Sequence, residues 1–195
     1  MIKVKHELFP TLVVSYKNFI NDKQKSDITD YLNHIDFTQH SSLNGNAISS
    51  FSTKQNILTI IEENVDSCKQ IKNQLNDVIS GYANELGFNY DCITNSWVNI
   101  QYKGSDLIEH THPLSSISGA LYLETDELSS ALYFHNPNNY FEYSNIKEHT
   151  HYSYHWIKFQ PEIGELFLFP SWLKHGSNTE INNTERRIVL SFNAT

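Results

Sequence analysis

The chain has few cysteines, few basic residues and no long apolar run. Its two cysteines, Cys68 and Cys92, are too few for a disulfide scaffold and are not spaced as a metal-binding pair. The 14 lysines and arginines are scattered among 22 acidic residues, and the net charge of -8 argues against a protein that tracks nucleic-acid phosphates. Without an apolar run of ~18 residues or a basic region followed by an apolar stretch, neither a membrane span nor a signal peptide is expected. We therefore expect a cytoplasmic protein.

The length and composition are those of one globular domain. The chain has 195 residues, of which 39% are hydrophobic and 13% aromatic, and this is enough to form one sizeable core. We expect a single domain over residues 1–195, in which residues 1–93 form a helical N-terminal support and residues 94–195 form a β-rich core.

The first half carries helix signals after a short opening strand. Residues 9–16 have the composition of a strand, and Asn21 with Gln24 three residues later is typical of a capping box. A long helix is predicted over residues 63–86, because apolar residues recur at intervals of three and four and Gly87 follows where a helix commonly ends.

The second half changes to a period of two, which is typical of strands. Short β-branched and aromatic runs alternate with turn residues, and the predicted strands are 97–102, 108–112, 117–123, 131–135, 154–159, 165–169 and 187–193. This number of strands favours a cupin-like jelly roll, with the helices packed on one outer face. The fold class is therefore mostly β with flanking helices.

Three histidines form a candidate metal site. The chain contains Glu109-His110-Thr111-His112-Pro113, and His175 follows a predicted strand that ends in Phe169-Pro170. Residues two apart in a strand point to the same face, so His110 and His112 can direct their imidazoles to one point. Three protein ligands leave one side of a metal open, which is typical of a catalytic site.

Segments at both ends of the chain resemble a known family. They are residues 102–123 with Ser118-Gly119, residues 164–175, residues 187–193, and the opening Leu8-Phe9-Pro10-Thr11. Together they resemble the 2-oxoglutarate- and Fe(II)-dependent oxygenases found in phages and marine bacteria. The motifs are specific in combination and weak singly.

The resemblance implies a fold, cofactors and binding residues. The fold would be a double-stranded β-helix, with iron held by His110, His112 and His175. An arginine on the last core strand would hold the distal carboxylate of 2-oxoglutarate. By the same resemblance, the hydroxyls of Tyr102 and Tyr122 are expected to help bind that carboxylate, although aromatic residues in strands more often belong to the core.

His112 departs from the pattern of the wider superfamily. Most of these oxygenases use two histidines and a carboxylate, in a His-x-Asp pair with a distant histidine, whereas this chain has His112 at the carboxylate position. Three neutral imidazoles leave a 2+ centre where a carboxylate would make it 1+. A dianionic co-substrate would bring such a site close to neutrality, so chelation by 2-oxoglutarate remains electrostatically reasonable.

A second copy of the histidine motif provides an alternative. Glu148-His149-Thr150-His151 repeats the tetrapeptide that contains His110 and His112. A His-x-His pair taken alone is more often a surface pair than a metal site. We favour the first copy, because it precedes a Ser-Gly pair and an aromatic strand as in the resembled family, and we expect His149 and His151 to face solvent.

The arginine can be chosen by the parity of the last strand. Arg187, Val189, Ser191 and Asn193 share one face, whereas the opposite face carries Arg186 and three apolar residues. If the apolar face packs under the helices, Arg187 points into the barrel, where a buried guanidinium needs an anionic partner. The alternatives are an internal ion pair, or Arg186 in this role after a one-residue slip.

The sequence predicts a 2-oxoglutarate-dependent dioxygenase, most simply a hydroxylase that releases succinate and CO2. Its partners would be 2-oxoglutarate, O2 and an unidentified primary substrate, in a host cytoplasm if the chain is phage-encoded. A three-histidine cupin enzyme that works without 2-oxoglutarate, a zinc enzyme that activates water, and a metal-free jelly-roll binding or structural protein remain open.

Overall fold

The described part of the chain is mostly β, with its α-helices in the first half. The computed structural model describes residues 2–138 and 144–195. The α-helices in these residues are α1 (Asp22–Tyr31), α2 (Ile57–Asn64) and α3 (Ile71–Leu86). The strands are β1 (Val14–Tyr16), β2 (Leu43–Asn44), β3 (Ala47–Ser49), β4 (Ile93–Tyr102), β5 (Asp106–Leu107), β6 (Ile117–Glu124), β7 (Leu132–His135), β8 (Trp156–Phe159), β9 (Leu166–Pro170), β10 (His175–Gly176) and β11 (Arg186–Ala194).

Two antiparallel sheets dominate the architecture. Within the described residues, the larger sheet has the order β1-β9-β6-β11-β4-β3, and the smaller has the order β10-β7-β8. The long strand β11 pairs with β4 on one side and β6 on the other, so it lies in the middle of the larger sheet. β1 and β3 come from the first half of the chain and extend this sheet on either side.

The larger sheet separates two apolar clusters. One lies between the sheet and the helices and contains Ile188, Leu190 and Phe192 of β11. The other lies between the two sheets and joins Val189 of β11 to Phe134 of β7. This alternation along β11 is the one predicted from its parity. The predicted mostly β fold with flanking helices is confirmed, and its core is a double-stranded β-helix.

The start of α1 forms as its local sequence predicts. The Asn21 side chain accepts a hydrogen bond from the Gln24 backbone N–H at 2.9 Å, and the Gln24 side chain accepts one from the Asn21 N–H at 3.0 Å. Each side chain satisfies a backbone donor that the first helical turn leaves unpaired.

The prediction of one helix over residues 63–86 is wrong at its start. α2 ends at Asn64, Val65 is extended, and a 3-10 turn (Asp66–Cys68) precedes α3. The three-residue spacing of buried Val65, Cys68 and Ile71 suits a 3-10 turn, which has three residues per turn. The apolar stripe still packs into the core, but the backbone changes direction beneath it. Gly87 ends α3 with φ of +72°, as its position predicts.

The predicted strand over residues 108–112 does not form as a regular strand. The paired strand β5 lies earlier, and His110 makes only an isolated antiparallel bridge with His175. The short strands β2, β3 and β10 were not predicted, because two or three residues are too few to show a period. No helix in the described residues is long and apolar enough to cross a membrane.

Candidate metal and co-substrate site

His110, His112 and His175 form one group that could hold a metal ion. One ring nitrogen from each lies within 4.8 Å of the others. The ring centroids are 4.8 Å apart for His110 and His112, 4.5 Å for His110 and His175, and 5.1 Å for His112 and His175. The structure therefore brings together three side chains from segments more than 60 residues apart in sequence.

Backbone hydrogen bonds hold the two histidine segments side by side. The N–H of His110 donates to the carbonyl of His175 at 2.9 Å, and the N–H of His175 donates back at 3.1 Å. The N–H of His112 donates to the carbonyl of Ser171 at 2.9 Å. Because alternate residues of the first segment bond to the second, the imidazoles of His110 and His112 share a side without a regular strand.

In two of the three rings, a hydrogen bond to a backbone carbonyl determines which nitrogen carries the proton. Nδ1 of His110 lies 2.8 Å from the carbonyl of Ile108, and Nδ1 of His175 lies 2.8 Å from the carbonyl of Leu173. A carbonyl oxygen can only accept, so each neutral ring carries its proton on Nδ1. Nε2 then has a free lone pair, and a metal needs this lone pair in a histidine ligand.

Burial keeps all three imidazoles neutral. Desolvation lowers the pKa of His112 to about 4, with a smaller contribution from His110 nearby. It also lowers the pKa of His110, and it lowers that of His175 well below the ordinary histidine value. A divalent cation that binds here would displace no proton at neutral pH.

The second copy of the motif lies elsewhere. His149 and His151 are exposed. The His149 ring lies 5.1 Å from that of His155, and Nε2 of His151 is 4.0 Å from a carboxylate oxygen of Glu7. In the part of the chain that the structure describes, neither belongs to a group of three or more potential metal ligands.

Arg187 lies on the inner face of β11 and lines the same cavity as the three histidines. This cavity of about 40 Å³ also touches Tyr122. Arg187 is only 2% exposed. Its Nη1 donates to Oε1 of Gln101, and its Nη2 donates to the Tyr122 hydroxyl at 3.2 Å. The guanidinium carbon lies 5.1 Å from the centre of the Tyr122 ring.

The guanidinium of Arg187 has no carboxylate partner among the described residues. Its hydrogen-bond partners there are an amide and a phenol, and its Nε is buried without a partner. Burial lowers the pKa of Arg187, but a guanidinium stays protonated at neutral pH. A buried cation with neutral partners is an environment suited to an anionic ligand.

The structure brings Tyr122 to Arg187 but does not bring Tyr102 there. Tyr122 is buried in the apolar cluster between the sheets. Tyr102 pairs in register with Arg186 and packs against the cluster beneath the helices. It follows Gln101 in β4, so the pleat turns it to the opposite face. The expectation that Tyr102 assists the co-substrate is corrected on this ground.

Gln101, which touches Arg187, was not predicted from the sequence as a site residue. Gln101 is fully buried in β4 and is the register partner of Arg187. A polar residue within a buried strand was the available signal, since such side chains need a partner. The identity of that partner depends on strand register, which the sequence alone does not determine.

A wider cavity opens beside the histidines. It has a volume of about 610 Å³ and touches His110 and His112, with Phe51 and Trp97 on one wall and Asn95 and other polar residues nearby. Its described lining contains no Asp, Glu, Lys or Arg. The cavity is therefore suited to an uncharged group.

A protein-family model matches the second half of the chain. The family model described as "Putative 2OG-Fe(II) oxygenase" matches residues 95–193, which is half of the chain. The match includes the three histidines, Gln101 and Arg187. Among curated proteins, no sequence matches.

Solved structures share the fold at low sequence identity. HygX from Streptomyces hygroscopicus, with nickel and 2-oxoglutarate bound, is 10% identical with a TM-score of 0.65, over 94% of this chain and 82% of that one. A prolyl-4-hydroxylase from Pseudomonas putida is 11% identical with a TM-score of 0.64, over 94% and 92% of the two chains. The alpha ketoglutarate dependent epimerase SnoN is 7% identical with a TM-score of 0.63, over 95% and 76%.

Proposed function

We propose that this chain, which belongs to the 2OG-Fe(II) oxygenase family, is a dioxygenase that hydroxylates its substrate and releases succinate and CO2. Fe(II) and 2-oxoglutarate are the cofactors of this family. The observation that carries the proposal is one cavity lined by three neutral imidazoles and by a buried arginine whose hydrogen-bond partners among the described residues are neutral.

His110, His112 and His175 would hold the iron. Their ligand atoms are close enough to share one ion, and the free Nε2 lone pairs of His110 and His175 match what a divalent metal requires. The bound iron and 2-oxoglutarate would together supply the oxidising chemistry. Because these three ligands are neutral imidazoles, the site would keep the full 2+ charge of the metal, and a dianion would largely offset it.

Arg187 would bind the distal carboxylate of 2-oxoglutarate, with help from the Tyr122 hydroxyl. The two side chains already contact each other, and burial raises the pKa of Tyr122, so its hydroxyl keeps its proton and can donate. A guanidinium can hold a carboxylate through two parallel hydrogen bonds and so orient the diacid towards the histidines.

Apolar side chains would exclude water from this site. The rings of Phe169 and Phe134 lie 4.5 Å and 6.2 Å from that of His175, and the Trp97 ring lies 5.6 Å from that of His112. Such walls strengthen the electrostatic contacts of a bound dianion, because they lower the local dielectric.

The primary substrate would enter through the 610 Å³ cavity beside His110 and His112. Its uncharged lining supports a substrate group without formal charge, which aromatic rings can contact and amide side chains can bind. Hydroxylation is the proposed outcome; SnoN, an epimerase, shares the fold, so the fold alone does not determine the reaction.

The proposal is tested by titrating Fe(II)-loaded protein with 2-oxoglutarate in the absence of oxygen. We expect a metal-to-ligand charge-transfer absorption band, and then oxygen-dependent succinate with Fe(II) but not with Zn(II). If the band appears but no succinate forms, either without a substrate or with a broad panel of candidate substrates, the assignment as a dioxygenase is contradicted. Absence of the band in iron-replete protein would favour a three-histidine enzyme that does not use 2-oxoglutarate.

The domain boundaries, the origin and the location remain predictions. We propose one domain over residues 1–195, because β1 and β3 from the first half extend the sheet that carries the site. A phage or marine-bacterial origin and a cytoplasmic location rest on the sequence alone. Limited proteolysis, with one resistant fragment of full length expected, tests the domain proposal.

A further inference from the structure

The buried guanidinium of Arg187 has a neutral amide, that of Gln101, as a hydrogen-bond partner. We propose that Gln101 is a positioning residue, which holds the Arg187 guanidinium in place while leaving its charge uncompensated for the distal carboxylate of 2-oxoglutarate. The inference rests on the proposed function and assigns a specific task to the amide of Gln101.

Gln101 and Arg187 form a pair that is fixed by strand register. They are direct partners in the antiparallel pairing of β4 with β11, so their side chains lie on the same face of the sheet. Gln101 is 0% exposed and Arg187 is 2% exposed. The Gln101 Oε1 accepts from Arg187 Nη1, which restricts the rotation of the guanidinium about its long side chain.

The group around Arg187 has more hydrogen-bond donors than acceptors. Arg187 offers five N–H groups and Gln101 offers two, whereas their shared acceptors are the Gln101 carbonyl and the Tyr122 oxygen. Within the described residues, Gln101 Nε2 and Arg187 Nε are both buried without a partner. Unpaired buried donors are costly, and an anion is the ligand that would satisfy them without adding further donors.

The neighbouring arginine shows the other arrangement. Arg186 lies on the opposite face and is half-exposed, and its Nε lies 2.9 and 3.0 Å from the two carboxylate oxygens of Glu124. Two adjacent arginines on one strand therefore have opposite kinds of partner. The exposed one has a carboxylate, and the buried one has an amide of the same shape as glutamate but without its charge.

Exchange of that amide for a carboxylate would change the charge with almost no change in shape. In Gln101→Glu, the new carboxylate would pair with Arg187 at low dielectric and offset the cation. A dianionic co-substrate would then compete with an internal anion. The affinity for 2-oxoglutarate should fall on the order of 100-fold, because its distal carboxylate and the new carboxylate of the variant repel each other.

The experiment compares 2-oxoglutarate with 2-oxopentanoate, which has the same five-carbon chain but lacks the distal carboxylate. Both are titrated into Fe(II)-loaded protein without oxygen. The wild type should prefer 2-oxoglutarate, and Gln101→Glu should lose most of this preference without weaker binding of 2-oxopentanoate. The matched control is Glu124→Gln, which makes the reciprocal exchange at Arg186 and should keep the wild-type preference.

A second variant and a second readout separate the possible failures. Gln101→Leu removes the acceptor but adds no charge, so it should weaken 2-oxoglutarate by roughly 10-fold and leave 2-oxopentanoate unchanged. Thermal unfolding of the metal-free protein measures how much the contact between residue 101 and Arg187 stabilises the fold without co-substrate. Gln101→Glu keeps an acceptor for Arg187, so its melting temperature should be no lower than that of Gln101→Leu. If both variants keep the wild-type preference, the role of Gln101 is overturned. If the wild type itself shows no preference, the co-substrate assignment of the proposed function fails instead.

Discussion

Replacement of Arg187 by alanine should remove most of the affinity for 2-oxoglutarate and leave iron bound. Arg187 is buried beside Tyr122 and lines the histidine cavity, but the histidines do not depend on it for their hydrogen bonds. Loss of a buried, charged hydrogen-bond partner costs on the order of 2 to 5 kcal/mol. At about 1.4 kcal/mol per tenfold change, this predicts an affinity roughly 30-fold to several-thousand-fold weaker.

The assay is a titration with 2-oxoglutarate, read from the charge-transfer band of the Fe(II)-loaded protein without oxygen. Arg187→Lys keeps the charge but loses the planar fork and the contact with Gln101, so its affinity should lie between those of the wild type and Arg187→Ala. Iron stoichiometry is measured in parallel and should equal that of the wild type.

Arg186→Ala is the matched control because it removes the same side chain one residue away. Arg186 is half-exposed and paired with Glu124 on the opposite face of β11, so its removal should change the affinity for 2-oxoglutarate little. If Arg186→Ala loses 2-oxoglutarate and Arg187→Ala behaves as the wild type, the assignment of the inner face to Arg187 is refuted, and the co-substrate site must be placed elsewhere.

Three further predictions concern the metal, packing and pH. His112→Ala should lose stoichiometric iron, whereas the double replacement of His149 and His151 by alanine should retain it; retention in the first variant would exclude His112 as a ligand. Gly119→Ala should lower the free energy of unfolding by about 1–3 kcal/mol, because the added Cβ would lie 2.2 Å from Phe192 Cζ, and denaturant titration showing no change would contradict this. The pKa values of the site histidines are lowered in the folded protein, that of His112 to about 4. Below pH ~6.5 the unfolded chain therefore binds more protons than the folded protein. The free energy of unfolding of the metal-free protein should then fall on acidification, by up to about 1.4 kcal/mol per pH unit for each imidazole. A constant free energy of unfolding from pH 6.5 to 5 would refute this.

Features that depend on neighbouring residues were predictable from the sequence. The alternation of β11 placed Arg187 and Arg186 on opposite faces, because successive side chains in a strand point to opposite sides. The capping box at Asn21 follows from two side chains three residues apart, and it forms as predicted. The spacing of His110 and His112 likewise indicated that their rings could share a side.

Features that depend on distant segments required the tertiary structure. The pairing that brings His175 to His110 joins segments whose relative position is set by the packing of the two sheets. The Gln101 contact with Arg187 depends on the register of β4 against β11, since a shift of one residue would have put Tyr102 opposite Arg187. The turn at Val65 occurs within an unbroken apolar stripe, because the core can bury that stripe on either a continuous helix or a 3-10 turn. Local pattern therefore determined which side chains face inward, and long-range strand pairing decided which of them meet.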